Sequence, residues 1–106
     1  MAKKVKDIAS MYDHNEIKEA LAWFRDKVTR AHEEEEKDEY AVAITKDEEK
    51  YLDILSSTSV SINDDGSSIA VTLFNKVEHN KEGVSFYFSK EITPRMISMI
   101  FEYFGL

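Results

Sequence analysis

The chain has 106 residues, 42% of them hydrophobic and 33% charged, with a net charge of −7 and no cysteine. That length suits one hydrophobic core and not two, so a single compact domain over residues 1–106 is expected, and the apolar content excludes intrinsic disorder; without cysteine neither a disulfide framework nor a thiolate metal site can form. Residues 33–53 hold ten acids against three bases, which leaves the other 85 residues neutral, and charge gathered in one lobe bears on association more than on fold.

Met1-Ala2-Lys3-Lys4 is basic, but Val5-Lys6-Asp7 follows where a secretory signal needs an apolar core. Ala2 stands where N-myristoylation requires glycine, and no apolar run approaches the ~18 residues of a membrane helix. A soluble cytoplasmic protein is expected. Three glycines and one proline favour long elements with short joins. Val5, Ile8, Ala9 and Tyr12 predict a short helix over residues 3–12. Asp13 with Glu16 forms a capping box, and Ile17, Leu21, Phe24, Val28 and Ala31 then follow at spacings of four and three, one face of a helix. Trp23 widens that stripe, and Asp26 with Arg30 makes a supportive pair on the solvent side.

After Ala31 the stripe stops. Residues 32–39 offer no apolar position for two turns, so a helix continuing there would project from the body. Residues 40–44 fit a short strand and the far end of the same helix equally. Thr45 with Glu48 makes a second capping box, opening a helix to about residue 55 with Tyr51, Leu52 and Leu55 inward.

The period then changes to two. Val60 and Ile62, a turn at residues 63–66, then Ile69, Val71 and Leu73 read as a hairpin, and a second turn at residues 79–83 leads to Val84, Phe86 and Phe88. The expectation is a three-stranded antiparallel meander whose other face carries Ala70, Thr72, Phe74, Ser85 and Tyr87. Thr93-Pro94 starts a final helix over residues 95–104 in which only Arg95, Ser98 and Glu102 are polar. The fold class expected is α+β: two to three N-terminal helices, the three-stranded meander and an apolar C-terminal helix.

No catalytic signature stands out. His32-Glu33 begins like the zincin motif, but Glu36 occupies the place of the second histidine. The turn at Asn63, Asp65 and Gly66 lacks the first and twelfth ligands of a calcium loop, with Ser61 and Thr72 in those places. No glycine-flanked nucleophilic serine and no phosphate-cradling loop occurs, so no enzyme, metal or cofactor is expected. Phe86 and Phe88 alternate with Tyr87 instead of forming an aromatic platform, and a net negative chain repels phosphates, so direct nucleic-acid binding is not expected.

Two surfaces remain. Glu33, Glu34, Glu35, Glu36, Asp38 and Glu39 are the candidate electrostatic contact for a protein partner with a basic surface. Such a partner would handle nucleic acid, and a compact acidic protein would block it as an inhibitor or adaptor. Phe74, Tyr87, Met99, Phe101 and Tyr103 are the candidate apolar contact for a homodimer or partner; a small homodimeric chaperone or structural assembly subunit is the alternative, and a small enzyme or ligand-binding domain whose site carries no sequence motif is the third reading.

Overall fold

The structure, a computed structural model, describes residues 12–62, 65–68 and 73–103. The helix expected over residues 3–12 lies outside the described residues apart from Tyr12, which packs against the core. The first described helix, α1 (His14–Glu34), starts at the expected capping box. The Asp13 carboxylate accepts from the Glu16 N–H at 2.9 Å, and Glu16 accepts from the Asp13 N–H at 3.1 Å. Ile17, Ala20, Leu21, Phe24 and Val28 are buried along one stripe, while Asp26 and Arg30 pair at 3.2 Å on the exposed side. Such an exposed pair adds about 0.3–0.5 kcal/mol, so the buried stripe holds α1 in place.

The helix does not run on through the glutamates. Glu35 is already extended (φ −167°, ψ 148°), its N–H still donating to the Ala31 carbonyl. Tyr40 gives the reason: only 5% exposed, its ring stacks on Phe88 at 5.1 Å. Reaching that site requires the chain to reverse straight after Glu34. A helix polar all round would offer no burial to compete with an aromatic stack.

Residues 40–44 therefore belong to a strand, β1 (Glu39–Ile44). Tyr40, Val42 and Ile44 turn inward and Ala41 and Ala43 outward, the alternation a half-buried strand requires. Thr45 and Glu48 form the second capping box, opening a 3-10 turn (Lys46–Glu48) and then α2 (Glu49–Ser57), which buries Leu52, Ile54 and Leu55.

Two strands follow, β2 (Ser59–Ile62) and β3 (Asp65–Ser68), then β4 (Lys76–His79) and β5 (Val84–Ser89). The α+β class and the three-stranded antiparallel sheet are as expected, but the strands composing it differ. The sheet runs β1-β5-β4, and β2 with β3 forms a separate two-stranded hairpin. β5 is central because Val84, Phe86 and Phe88 give it the largest apolar face, and β1 supplies a matching partner with Tyr40 opposite Phe88 and Val42 opposite Phe86. The strand expected through Ile69 and Val71 falls outside the described residues. Leu73, expected at its end, lies outside the described strands and is fully buried.

The β4–β5 turn depends on its glycine. The Asn80 side-chain oxygen accepts from the N–H groups of Glu82 (3.0 Å) and Gly83 (2.9 Å), drawing the turn tight. A Cβ built on Gly83 would lie 2.5 Å from the Ile44 carbonyl oxygen, a backbone atom at the far end of β1. Gly83→Ala is therefore expected to cost about 1–2 kcal/mol, the usual scale of an enforced overlap. Urea unfolding would measure it, and an unchanged midpoint would refute the close approach.

The last helix, α3 (Pro94–Tyr103), begins with proline in its first turn and the Thr93 hydroxyl accepting from the Met96 N–H at 3.3 Å. Ile97 is fully buried, and Met96, Ile100 and Phe101 pack against the core. α1 lies between α2 and α3. α1 lies against the inner side of the sheet, with Phe24 5.2 Å from Phe86 and 6.2 Å from Phe88.

Candidate functional site

Residues 33–39 are all exposed. They form the end of α1 and a turn that is fixed from beneath by Tyr40. The phenol donates to the Glu35 carbonyl at 3.0 Å and accepts from the Lys37 N–H at 3.1 Å. His32 adds a second tie, its Nε2 meeting the Ile92 carbonyl at 2.9 Å while Nδ1 faces the Tyr40 oxygen at 3.4 Å. A carbonyl only accepts, so Nε2 carries a proton. The turn is thus held to the segment between β5 and α3.

Two ion pairs occur within this surface, Lys37 with Glu35 at 3.7 Å and Lys90 with Asp38 at 3.3 Å. Glu39 accepts from the Asn75 amide at 3.2 Å. Glu33, Glu34 and Glu36 have no ion pair among the described residues. A groove of about 830 Å³ crosses the site, lined by His32, Glu36, Lys37, Asp38, Tyr40, Lys90 and Glu91. A cation approaching the turn meets uncompensated carboxylates spread across a shallow surface.

The second half of the acidic stretch is built differently. Glu48 is three-quarters buried and accepts from the Trp23 indole N–H at 2.9 Å, the Thr45 N–H at 3.1 Å and the Lys27 ammonium at 3.1 Å. The indole N–H holds its carboxyl down, from the usual 4.5 to about 2; partial burial opposes this, while the Thr45 N–H and Lys27 reinforce it. Tyr51 stacks on Trp23 at 5.0 Å, and Glu49 bonds His79 at 2.7 Å. These two glutamates tie α2 to α1 and to β4. Sequence spacing reveals Glu48 as a capping residue but not its reach to Trp23, since the contact spans 25 residues.

The apolar candidates are not brought together as one outer patch. Phe74, expected on the outer sheet face, is 8% exposed and packs 5.8 Å from Phe24 and 6.0 Å from Phe86, so it belongs to the core. Tyr87 does lie on the outer face, where it donates to Glu78 at 2.7 Å beneath the Lys76 ammonium. That bond holds the Glu78 carboxyl below its usual range, with Lys76 reinforcing the effect, and raises the Tyr87 phenol against the opposing charge of Lys76. Phe101 is half-buried under the Arg25 guanidinium, 4.8 Å away, and Arg25 also donates to Ser98 at 3.0 Å. Tyr103 closes α3, but its side chain lies outside what is described. Among the described residues Met99, 60% exposed, is the large apolar side chain that stands in solvent.

No helix among the described residues is long and apolar enough to cross a membrane. Neither a family model, nor a curated protein, nor a solved structure matches this chain.

Proposed function

We propose that the protein is a non-enzymatic interaction module, an acidic inhibitor or adaptor that occupies a basic, nucleic-acid-handling surface of a protein partner. The observation that carries this reading is the turn at residues 33–39: six exposed carboxylates on a backbone fixed by Tyr40, with Glu33, Glu34 and Glu36 free of ion pairs among the described residues. An exposed array of carboxylates, half of them without an ion pair among the described residues, resembles a run of phosphates in charge and raises the rate at which a basic groove finds it. Glu48, drawn inward against Trp23 and Lys27, and Glu49, bonded to His79 at the surface, contribute less to that field. On this reading the encounter takes place in the cytoplasm.

The alternative, a homodimeric chaperone or assembly subunit working through α3, draws less support. Met96, Ile97, Ile100 and Phe101 of that helix pack against the core, and among the described residues Met99 alone is an exposed large apolar side chain.

Salt tests the proposal. With the partner captured from native-host lysate, the association rate should fall at least about tenfold between about 50 mM and about 500 mM salt, as screening shortens the reach of the carboxylates. Changing Glu33, Glu34, Glu35 and Glu36 together to glutamine should slow association at low salt and remove most of that dependence. A partner that binds equally fast in both salts, and equally well to the glutamine variant, would sink the proposal.

A further inference from the structure

The two edges of the sheet are finished differently. β4 is four residues long and carries Lys76, Glu78 and His79, the short, charged form by which sheet edges resist pairing with other chains. β1 is six residues long, pairs with β5 in unbroken register without a bulge, and after Glu39 contains only Tyr40, Ala41, Val42, Ala43 and Ile44. Among the described residues no strand other than β5 pairs with it.

The phase of the ladder shows which groups are free. The Lys90 N–H donates to the Asp38 carbonyl at 3.0 Å, one step beyond the Glu39–Ser89 pair. Hydrogen-bonded and non-bonded pairs alternate along an antiparallel ladder, so Asp38, Tyr40, Val42 and Ile44 direct their backbone groups at β5. Glu39, Ala41 and Ala43 direct theirs outward. All three residues are exposed, and the two alanines leave room beside the strand on the outer face. The acidic turn leads directly into this edge, with Glu39 belonging to both.

We infer that β1 is a docking edge on which an extended, basic segment of a partner protein adds as a fourth, antiparallel strand. The inference rests on the acidic reading of residues 33–39 and gives that partner a conformation. Backbone bonds to Glu39, Ala41 and Ala43 supply affinity, as in other strand additions. The carboxylates select the occupant by charge. Antiparallel pairing keeps the sheet uniform and sets polarity: the acids precede β1, so the partner's lysines or arginines must follow its paired segment.

The test titrates the isotopically labelled full chain with the synthetic peptide Thr-Val-Thr-Val-Thr-Lys-Lys-Lys-Lys, reading amide shifts and hydrogen exchange. The amides of Glu39, Ala41 and Ala43 should shift and gain protection. A peptide N-methylated at alternate residues of its Thr-Val half should bind at least about tenfold more weakly, a difference of about 1.4 kcal/mol. The reversed peptide, lysines first, should also bind more weakly. Shifts confined to residues 33–38, with the methylated peptide binding equally well, would overturn strand addition and leave the acidic reading intact. Binding at the edge that is undiminished in the four-glutamine variant would overturn the basic character of the occupant. No binding by either peptide at low salt would overturn both. Protection of the same three amides in the free protein would overturn the inference too: sedimentation as a dimer would assign the edge to a second copy, and as a monomer to the chain's own segments.

Discussion

Phe24→Ala is expected to cost about 3–5 kcal/mol of folding stability, the range for emptying a buried aromatic site. Phe24 is fully buried at the middle of α1, and its ring lies 5.2 Å from Phe86, 5.8 Å from Phe74, 6.2 Å from Phe88 and 6.4 Å from Trp23. These neighbours come from α1, the central strand and the segment before β4, so none can move into the space without disturbing another element. Set against the ~5–15 kcal/mol that holds a typical domain together, the loss is a large share of the whole. A fall in melting temperature of about 15–30 °C would accompany it. Phe24→Leu, which fills most of the site, should cost about 1–2 kcal/mol and keeps the measurement possible if the alanine variant does not fold. Met99→Ala is the matched control, since a residue 60% exposed should change stability by less than about 0.5 kcal/mol. A loss under about 1 kcal/mol for Phe24→Ala would mean that the aromatic cluster is not the centre of the core.

The two capping boxes and the stripe of α1 were legible in the sequence because each depends on residues three or four apart. The same holds for the inward alternation of β5 and the proline that opens α3. What the sequence did not carry is pairing at a distance. The 60–62 segment alternates as well as β1 does, but only contact with β5 decides which of the two joins the sheet. Tyr40 beside Phe88 outcompetes the serines around Val60 for that place. Phe74 departs from the sequence pattern for a related reason. Counting alternate residues from Leu73 put it outward, whereas the chain is not in a described strand there and both Leu73 and Phe74 are buried.

The acidic stretch shows the same limit from the side of the candidate site. Charge counting groups Glu33 with Glu48, because formal charge ignores partners. The fold separates them: Glu33 lies exposed at the end of α1 with no ion pair among the described residues, and Glu48 is drawn inward by the Trp23 indole and Lys27. The free edge of β1 was invisible for the opposite reason. Nothing in residues 39–44 says which side of the strand will have a neighbour, and that became readable only from the ladder and the bond between Lys90 and Asp38.

Glu48 gives the fold a predictable acid sensitivity. Its carboxyl is held at about 2 in the folded protein against the usual 4.5, chiefly by the indole N–H of Trp23, so the folded state binds its proton less readily than the unfolded chain does. A depressed folded value means that the stabilisation is complete above about pH 4.5 and is lost as the pH falls toward about 2. At about 1.36 kcal/mol per pH unit that interval sets an upper bound near 3 kcal/mol. The side chain retains 26% exposure, and solvent screening reduces the expected contribution to about 2 kcal/mol. Glu48→Gln should therefore be less stable than the parent by about 2 kcal/mol at pH 7 and nearly equal to it at about pH 2. Urea unfolding at a series of pH values measures both stability curves, and their convergence below about pH 4.5 is the signature of this one carboxyl, because every other acid is common to both proteins. Trp23→Phe should reproduce much of the loss at pH 7 while flattening the same acid slope, since it removes the principal donor and leaves Lys27 in place. Parallel curves for parent and Glu48→Gln from pH 7 down to about 2 would show that the carboxylate is not what joins α2 to α1.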